Sequence, residues 1–207
     1  MVRKIPFADR EKYHIYNRGT EKRKIFLEDK DYERFIFILS EFNKIQRSAK
    51  ILSTRKKDKG VDDHQPLVSV EDYSLMPNHY HVVLEQLEEN GIAKFLQKVM
   101  TGYTMYFNKK YNRTGALFQG KTKSKHIDSD VYYNQLRAYI HLNPVELKDK
   151  NWKTNGKVQS IDTMMKFLNE YKWCSCKDFN IFKDYLSGKE QFLDFDVLGQ
   201  TTEVEPR

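Results

Sequence analysis

Residues 67–75 and 79–84 are two short runs rich in Val, Leu and Tyr, separated only by Met76-Pro77-Asn78. Three residues are too few for a parallel crossover, which needs about a dozen or more. The two runs must therefore pair antiparallel as a hairpin, which excludes an all-helical bundle and a purely parallel sheet. Residues 13–16 read as another short strand, ending at the turn Asn17-Arg18-Gly19. Residues 29–45 read as a helix because Phe35, Ile38, Leu39 and Phe42 recur at helical spacing, with Asp29 or Asp31 available as a cap. Residues 91–111 carry Ile92, Phe95, Leu96, Val99, Tyr103 and Phe107 near one face and read as a second helix. Residues 116–127 are expected to be extended. Residues 129–143 form a third helical pattern, with Ser129 or Asp130 near its start and Pro144 just past its end, and residues 161–171 a fourth. Strands paired through short turns and interleaved with helices predict an α+β sandwich, an antiparallel sheet with helices on one face.

The length of 207 residues suits one domain with decorations. The expected division is a domain over 1–185, carrying a surface loop insertion at about 53–66, followed by an acidic tail over 186–207. The insertion holds Arg55, Lys56, Lys57 and Lys59 and almost nothing apolar. Hydrophobic residues make up 39% of the chain, enough to fill a core and to exclude global disorder. A net charge of +7 suggests a polyanionic partner, of which nucleic acid is the commonest, although charge alone also fits a protein that is merely basic. The two cysteines, Cys174 and Cys176, stand too close for a relaxed disulfide and lack a second pair for zinc, so two reduced thiols are expected. No apolar leader precedes Arg10, and the densest apolar run, residues 35–39, is too short to span a bilayer. No membrane association is expected, and the expected location is cytoplasmic, associated with the nucleoid.

Three constellations carry chemistry. His79 and His81 lie two apart on a strand, so both imidazoles point to one face while Tyr80 points to the other. Such a pair can ligate one metal ion, although the spacing alone more often marks two histidines on an exposed strand face. Tyr139 and Asn143 lie four apart on a helix, so a hydroxyl and an amide oxygen share a face. Spacing alone also allows Tyr139 to be core filler. The stretch 108–125 holds Lys109, Lys110, Arg113, Lys121, Lys123 and Lys125, no acidic residue, and the interleaved rings of Tyr111 and Phe118. Cations that track phosphates and rings that stack on unpaired bases suit single-stranded nucleic acid, and a solvated basic face over core aromatics is the alternative. Within this stretch Gly115-Ala-Leu-Phe-Gln-Gly-Lys-Thr122 matches the phosphate-binding loop pattern letter for letter. That motif needs a buried strand before it and a helix after it. Here a basic helical segment precedes it and no helical apolar stripe follows, so nucleotide binding is not expected.

Five segments in order resemble the single-tyrosine HUH transposases, in particular the branch of REP-associated tyrosine transposases. They are Tyr13-His-Ile-Tyr-Asn-Arg-Gly19, the strand pair around Met76-Pro-Asn-His-Tyr-His81, Gly115-Ala-Leu-Phe-Gln119, Ala138-Tyr-Ile-His-Leu-Asn-Pro-Val145 and Tyr171-Lys-Trp-Cys-Ser175. The resemblance covers about residues 10–180. It implies a ferredoxin-like α+β fold, an antiparallel sheet with helices packed on it and His-x-His on a central strand. It also implies Mg²⁺ or Mn²⁺ held by His79, His81 and Asn143, with Tyr139 as the nucleophile that cleaves and rejoins single-stranded or hairpin DNA. Arg18, Phe118 and Gln119 would join Lys109, Lys110, Arg113, Lys121, Lys123 and Lys125 at the DNA. Two departures stand out. Tyr80 is bulkier than the usual aliphatic, and Lys121 stands where many relatives carry Arg, so a bidentate phosphate clamp is lost there. In some relatives the tyrosine helix is placed in trans, which leaves monomer and homodimer both open. The alternatives are a replication-initiator or relaxase-type nickase, and a non-catalytic nucleic-acid-binding module descended from such an enzyme.

Overall fold

The computed structural model describes residues 6–44 and 65–192. Residues 53–64 of the expected insertion and 193–207 of the expected tail lie outside the described residues. Four strands, β1 (Lys12–Arg18), β2 (Val68–Met76), β3 (His79–Gln86) and β4 (Lys123–Ile127), form one sheet in the order β2-β3-β1-β4. Every neighbouring pair is antiparallel. Helix α1 (Asp29–Glu41) connects β1 to β2, and α2 (Gly91–Lys110) connects β3 to β4. This βαββαβ order with that strand arrangement is the ferredoxin-like α+β fold, and β3, which carries His79 and His81, is one of its two central strands.

The hairpin forms as expected, with Met76 paired to His79 across the two residues Pro77 and Asn78. The turn is tied down from outside. Pro77 O accepts the backbone N–H groups of Ile25 and Phe26, and Asn78 O accepts that of Gly19. Helix α1 begins at Asp29 as expected, but its cap is Glu28 rather than Asp29 or Asp31, with Glu28 and Asp31 forming a reciprocal capping box. Of the expected extended stretch 116–127, only 123–127 is strand, and Phe118 contributes a single bridge to Gly19.

Alternation along β1 and β3 makes two different sheet faces. Tyr13, Ile15, Tyr80, Val82 and Leu84 face α1 and α2 and pack with Phe35, Phe95 and Tyr103, all buried. Burying each such side chain stabilises the fold by about 1.5–3 kcal/mol. The other face carries His14, His81 and Val83, and helix α3 (Asp130–Leu142) covers it with Tyr132, Leu136, Tyr139 and Ile140. The expectation of helices on one face is therefore corrected: helices lie on both. Residues 132, 136, 139 and 140 form one apolar stripe that needs a sheet face, and α1 and α2 already fill the first. Behind α3, the turn Asn143–Leu147 and helices α4 (Trp152–Asn155), α5 (Ile161–Glu170) and α6 (Lys183–Ser187) bury Ala138 and Leu142 with Trp152, Leu168 and Leu186. Helix α3 is thus sandwiched, and α6 runs across the expected tail boundary at 185/186. Phe192 packs beyond it on Trp152 and Tyr185.

Candidate active site

Strand register decides what the second face presents. His79 lies opposite Arg18, and His81 opposite Tyr16. On the edge strand, Lys123 pairs with Tyr16 and Lys125 with His14. Helix α3 starts at Ser129, whose hydroxyl accepts the N–H of Tyr132, and runs over this face. Pro144 disfavours a helical conformation at the residue before it. Asn143 nevertheless keeps φ −53° and ψ −40°, because Pro144 enters a 3₁₀ turn at the position where its missing N–H costs nothing. Tyr139 and Asn143 consequently stay on one helical face.

That face meets the histidines. Asn143 Oδ1 lies 3.2 Å from His79 Nε2, and the Tyr139 and His81 rings meet edge to face with centroids 5.5 Å apart. His79 Nδ1 lies 2.8 Å from Asn78 Oδ1, and when Nδ1 donates there, Nε2 keeps its lone pair. Two acceptors then face each other between His79 and Asn143, and Asn143 Nδ2 is buried with no hydrogen-bond partner among the described residues. A cation between the acceptors, or the amide turned over, satisfies both groups. The donor set of two imidazoles and an amide oxygen fits a borderline divalent ion such as Mn²⁺, and tolerates Mg²⁺. No group of three His, Cys, Asp or Glu side chains placed for a metal occurs among the described residues.

Sequence reasoning missed His14 as a member of the site. Its Nε2 lies 2.8 Å from His81 Nδ1. When His81 donates that hydrogen bond, its Nε2 carries the lone pair a metal needs, and His14 fixes the ring. Burial lowers the pKa of His14 to about 3, helped by the charge of Lys125. Burial, and then the neighbouring imidazoles, hold His81 well below its ordinary value. Burial also lowers His79, opposed by the Asn143 amide oxygen beside its Nε2 and by the charge of Glu146. All three rings are neutral near pH 7, as ligation requires. The signal for His14 was its position in Tyr13-His-Ile-Tyr16, which alternation places on the His81 face.

Lys153, on α4, was also missed. Its Nζ sits 4.2 Å from the centroid of the Tyr139 ring and pairs with Glu146. Burial lowers its pKa, opposed by the charge of Glu146. Tyr139 itself is 2% exposed, and Phe192 meets its ring edge to face.

The expected DNA contacts divide. Arg18 hydrogen-bonds through Nε to Gln119 Oε1, beside His79, and Lys123 and Lys125 line the same sheet face. Lys121 and Lys109 are exposed. Arg113 donates to Asn108 Oδ1 at 2.8 Å. Lys110 is drawn into the fold, 2.5 Å from the buried carboxylate of Asp31 and 2.7 Å from Glu28. Phe118 does not present its ring to bases, because it packs against Tyr80 and Tyr103 in the core. The phosphate-loop lookalike buries Leu117 with Phe118 and runs into β4 rather than into a helix.

A Cys-His-Asp chain on this side of the sheet is inert as a nucleophile. Cys174 lies 3.1 Å from His141 Nδ1, and His141 Nε2 lies 2.8 Å from Asp72 Oδ1. Burial pushes the Cys174 thiol up to about 12, so the thiol keeps its proton.

No family model matches the chain, and no curated protein matches it. Among solved structures, it is similar to a REP-associated tyrosine transposase bound to a REP hairpin, at 12% identity and a TM-score of 0.49, over 84% of this chain and 81% of that one. It is also similar to a Deinococcus radiodurans protein provisionally described as a transposase, at 14% identity and a TM-score of 0.40, over 68% of this chain and 95% of that one.

Proposed function

We propose that the chain is a metal-assisted tyrosine transesterase that cleaves and rejoins single-stranded or hairpin DNA, as a transposase does. One observation carries this: a single helix brings Tyr139 against His81 and Asn143 against His79, on the central strand of the sheet. His79, His81 and Asn143 would hold Mg²⁺ or Mn²⁺. Bound there, the ion would supply Lewis-acid polarisation of the scissile phosphate. Tyr139 Oη attacks the phosphorus in line, forming a 5′-phosphotyrosine ester as the bond to the 3′ oxygen breaks. The phenol gives up its proton, and the departing oxygen takes one to become a 3′-hydroxyl. That hydroxyl later attacks the ester and rejoins DNA, so the bond energy is kept and no nucleotide is consumed. Arg18, Gln119, Lys121, Lys123 and Lys125 hold the strand beside the site.

The test is a denaturant-resistant adduct between the protein and labelled hairpin DNA with a single-stranded tail, formed in Mn²⁺. The expected result is an adduct in the native chain and none in Tyr139→Phe or in EDTA. An adduct that survives Tyr139→Phe moves the nucleophile to Tyr132 or Tyr133. DNA binding with neither adduct nor metal uptake replaces the enzyme with a non-catalytic nucleic-acid-binding module.

A further inference from the structure

Strand β2 carries an irregularity that the proposed chemistry does not use. Its register with β3 passes from Val70↔Leu84 directly to Asp72↔Val83, so Glu71 is an extra residue. Val68 and Val70 pack into the core under α1 and α2. Simple alternation would send Asp72 there too. The bulge turns it over instead, opposite Val83 on the face that α3 covers.

There Asp72 is 5% exposed and collects three donors from one helix. Tyr133 Oη donates to Oδ2 at 2.8 Å, Arg137 Nε lies 3.3 Å from Oδ2, and His141 Nε2 donates to Oδ1 at 2.8 Å. Positions 133, 137 and 141 are i, i+4 and i+8, one stripe spanning about 12 Å of helix. These three bonds to a single carboxylate fix both the rotation and the axial position of α3. A slip of one residue moves the helix about 1.5 Å and turns it about 100°, which breaks all three. The anchor continues to the sheet beside His81: His141 Nδ1 lies 3.1 Å from Cys174 Sγ, Cys174 bridges Ser74, and Ser74 pairs with His81. Burial would raise the Asp72 carboxyl, but the bond and charge of His141, the bond from Tyr133 and the charge of Arg137 outweigh it and hold the group ionised.

We propose that Asp72 is a positioning residue whose contacts with Tyr133, Arg137 and His141 set α3 so that Tyr139 reaches His81 and Asn143 reaches His79. What is positioned rests on the function proposed above. The clamp itself does not. The test compares the native full-length chain with Asp72→Asn and with Tyr133→Phe, the latter removing one donor while the carboxylate stays paired. Hydrogen exchange of α3 amides, without metal or DNA, should speed up by about tenfold or more in both variants, with α1 and α2 unchanged. Mn²⁺ affinity should fall about 10–100-fold, as for lost outer-shell partners. The rate of adduct formation should fall while the Kd for hairpin DNA stays within about twofold. Unchanged α3 exchange in both variants overturns the clamp. So does exchange that rises equally in α1, α2 and α3, which marks Asp72 as a general stabiliser. A native chain that takes up no Mn²⁺ and forms no adduct overturns the proposed function instead, and the exchange data still decide the clamp.

Discussion

The sharpest quantitative consequence concerns the edge strand β4. Lys123 and Lys125 stand opposite Tyr16 and His14, on the sheet face that holds the histidines. On the function proposed above, a DNA strand whose phosphate reaches Tyr139 runs along this edge. Each lysine that neutralises a phosphate contributes about 0.7 to the slope of log K against log salt on a single strand, and about 0.9 on a duplex stem. The double change Lys123→Ala/Lys125→Ala should therefore make the slope less negative by about 1.4–1.8. Between 50 and 200 mM salt, a fourfold span, the variant should lose roughly 7–12-fold less affinity than the native chain. Fluorescence anisotropy with a labelled hairpin in EDTA reads this without any contribution from metal or cleavage. The matched control is Lys30→Ala/Lys94→Ala, two exposed lysines on α1 and α2. It removes the same net charge from the helices that cover the opposite face, so its slope should match the native one. Lys125 Nζ lies 5.0 Å over the Tyr132 ring, a contact worth only about 0.5–1 kcal/mol at a partly exposed site, so the variant should stay folded. An unchanged slope in the β4 variant, or an equal change in both pairs, refutes the placement of DNA on this face.

Further outcomes follow from the charges of Asp31 and Lys153. Asp31 is fully buried and accepts from Lys110, Tyr106, Tyr111 and the N–H groups of Leu27 and Glu28. Asp31→Ala leaves Lys110 with Glu28 as its carboxylate partner and removes half of the α1 capping box, which should cost about 2–4 kcal/mol and lower the urea midpoint by about 1–2 M at a slope of about 2 kcal/mol/M. Burial opposes ionisation of Asp31, but its bonds to Lys110, Leu27 and the tyrosines hold its pKa below the ordinary 3.8. Its stabilising contribution is therefore complete above about pH 4 and is lost as pH falls through the lower folded value. Acid titration of Asp31→Asn should lack that part of the transition, and an acid limb identical to the native one would refute it. Lys153→Met, which removes the cation over Tyr139, should slow single-turnover adduct formation by about 10²-fold at saturating hairpin, with Lys153→Arg recovering part of the loss. Equal rates in the native chain and Lys153→Met would remove Lys153 from the chemistry.

Local signals carried most of the sheet. The hairpin was fixed by a connection too short for any crossover, and the two faces of β3 by alternation through His79, Tyr80 and His81. Helix α3 was legible as a helix from its cap and its apolar spacing, but its place was not. Placement depends on which sheet face is still open after α1 and α2 have packed, a property of the whole fold rather than of any segment. Phe118 and Lys110 misled for a related reason. A ring or a cation in a basic stretch looks available until its partner is known, and those partners, Tyr80 and Asp31, lie 38 and 79 positions away in the chain. Asp72 was hidden more deeply. Reading Val68, Val70 and Asp72 at period two puts the carboxylate in an apolar core, where it has no partner, and only the extra residue at Glu71 turns it toward α3. A charged residue at a core position of a strand was thus the visible mark of the bulge. The conflict between its chemistry and its apparent face is resolved only by breaking the alternation. The same break hands the helix that carries Tyr139 its anchor, so the register irregularity and the geometry of the candidate site have one cause.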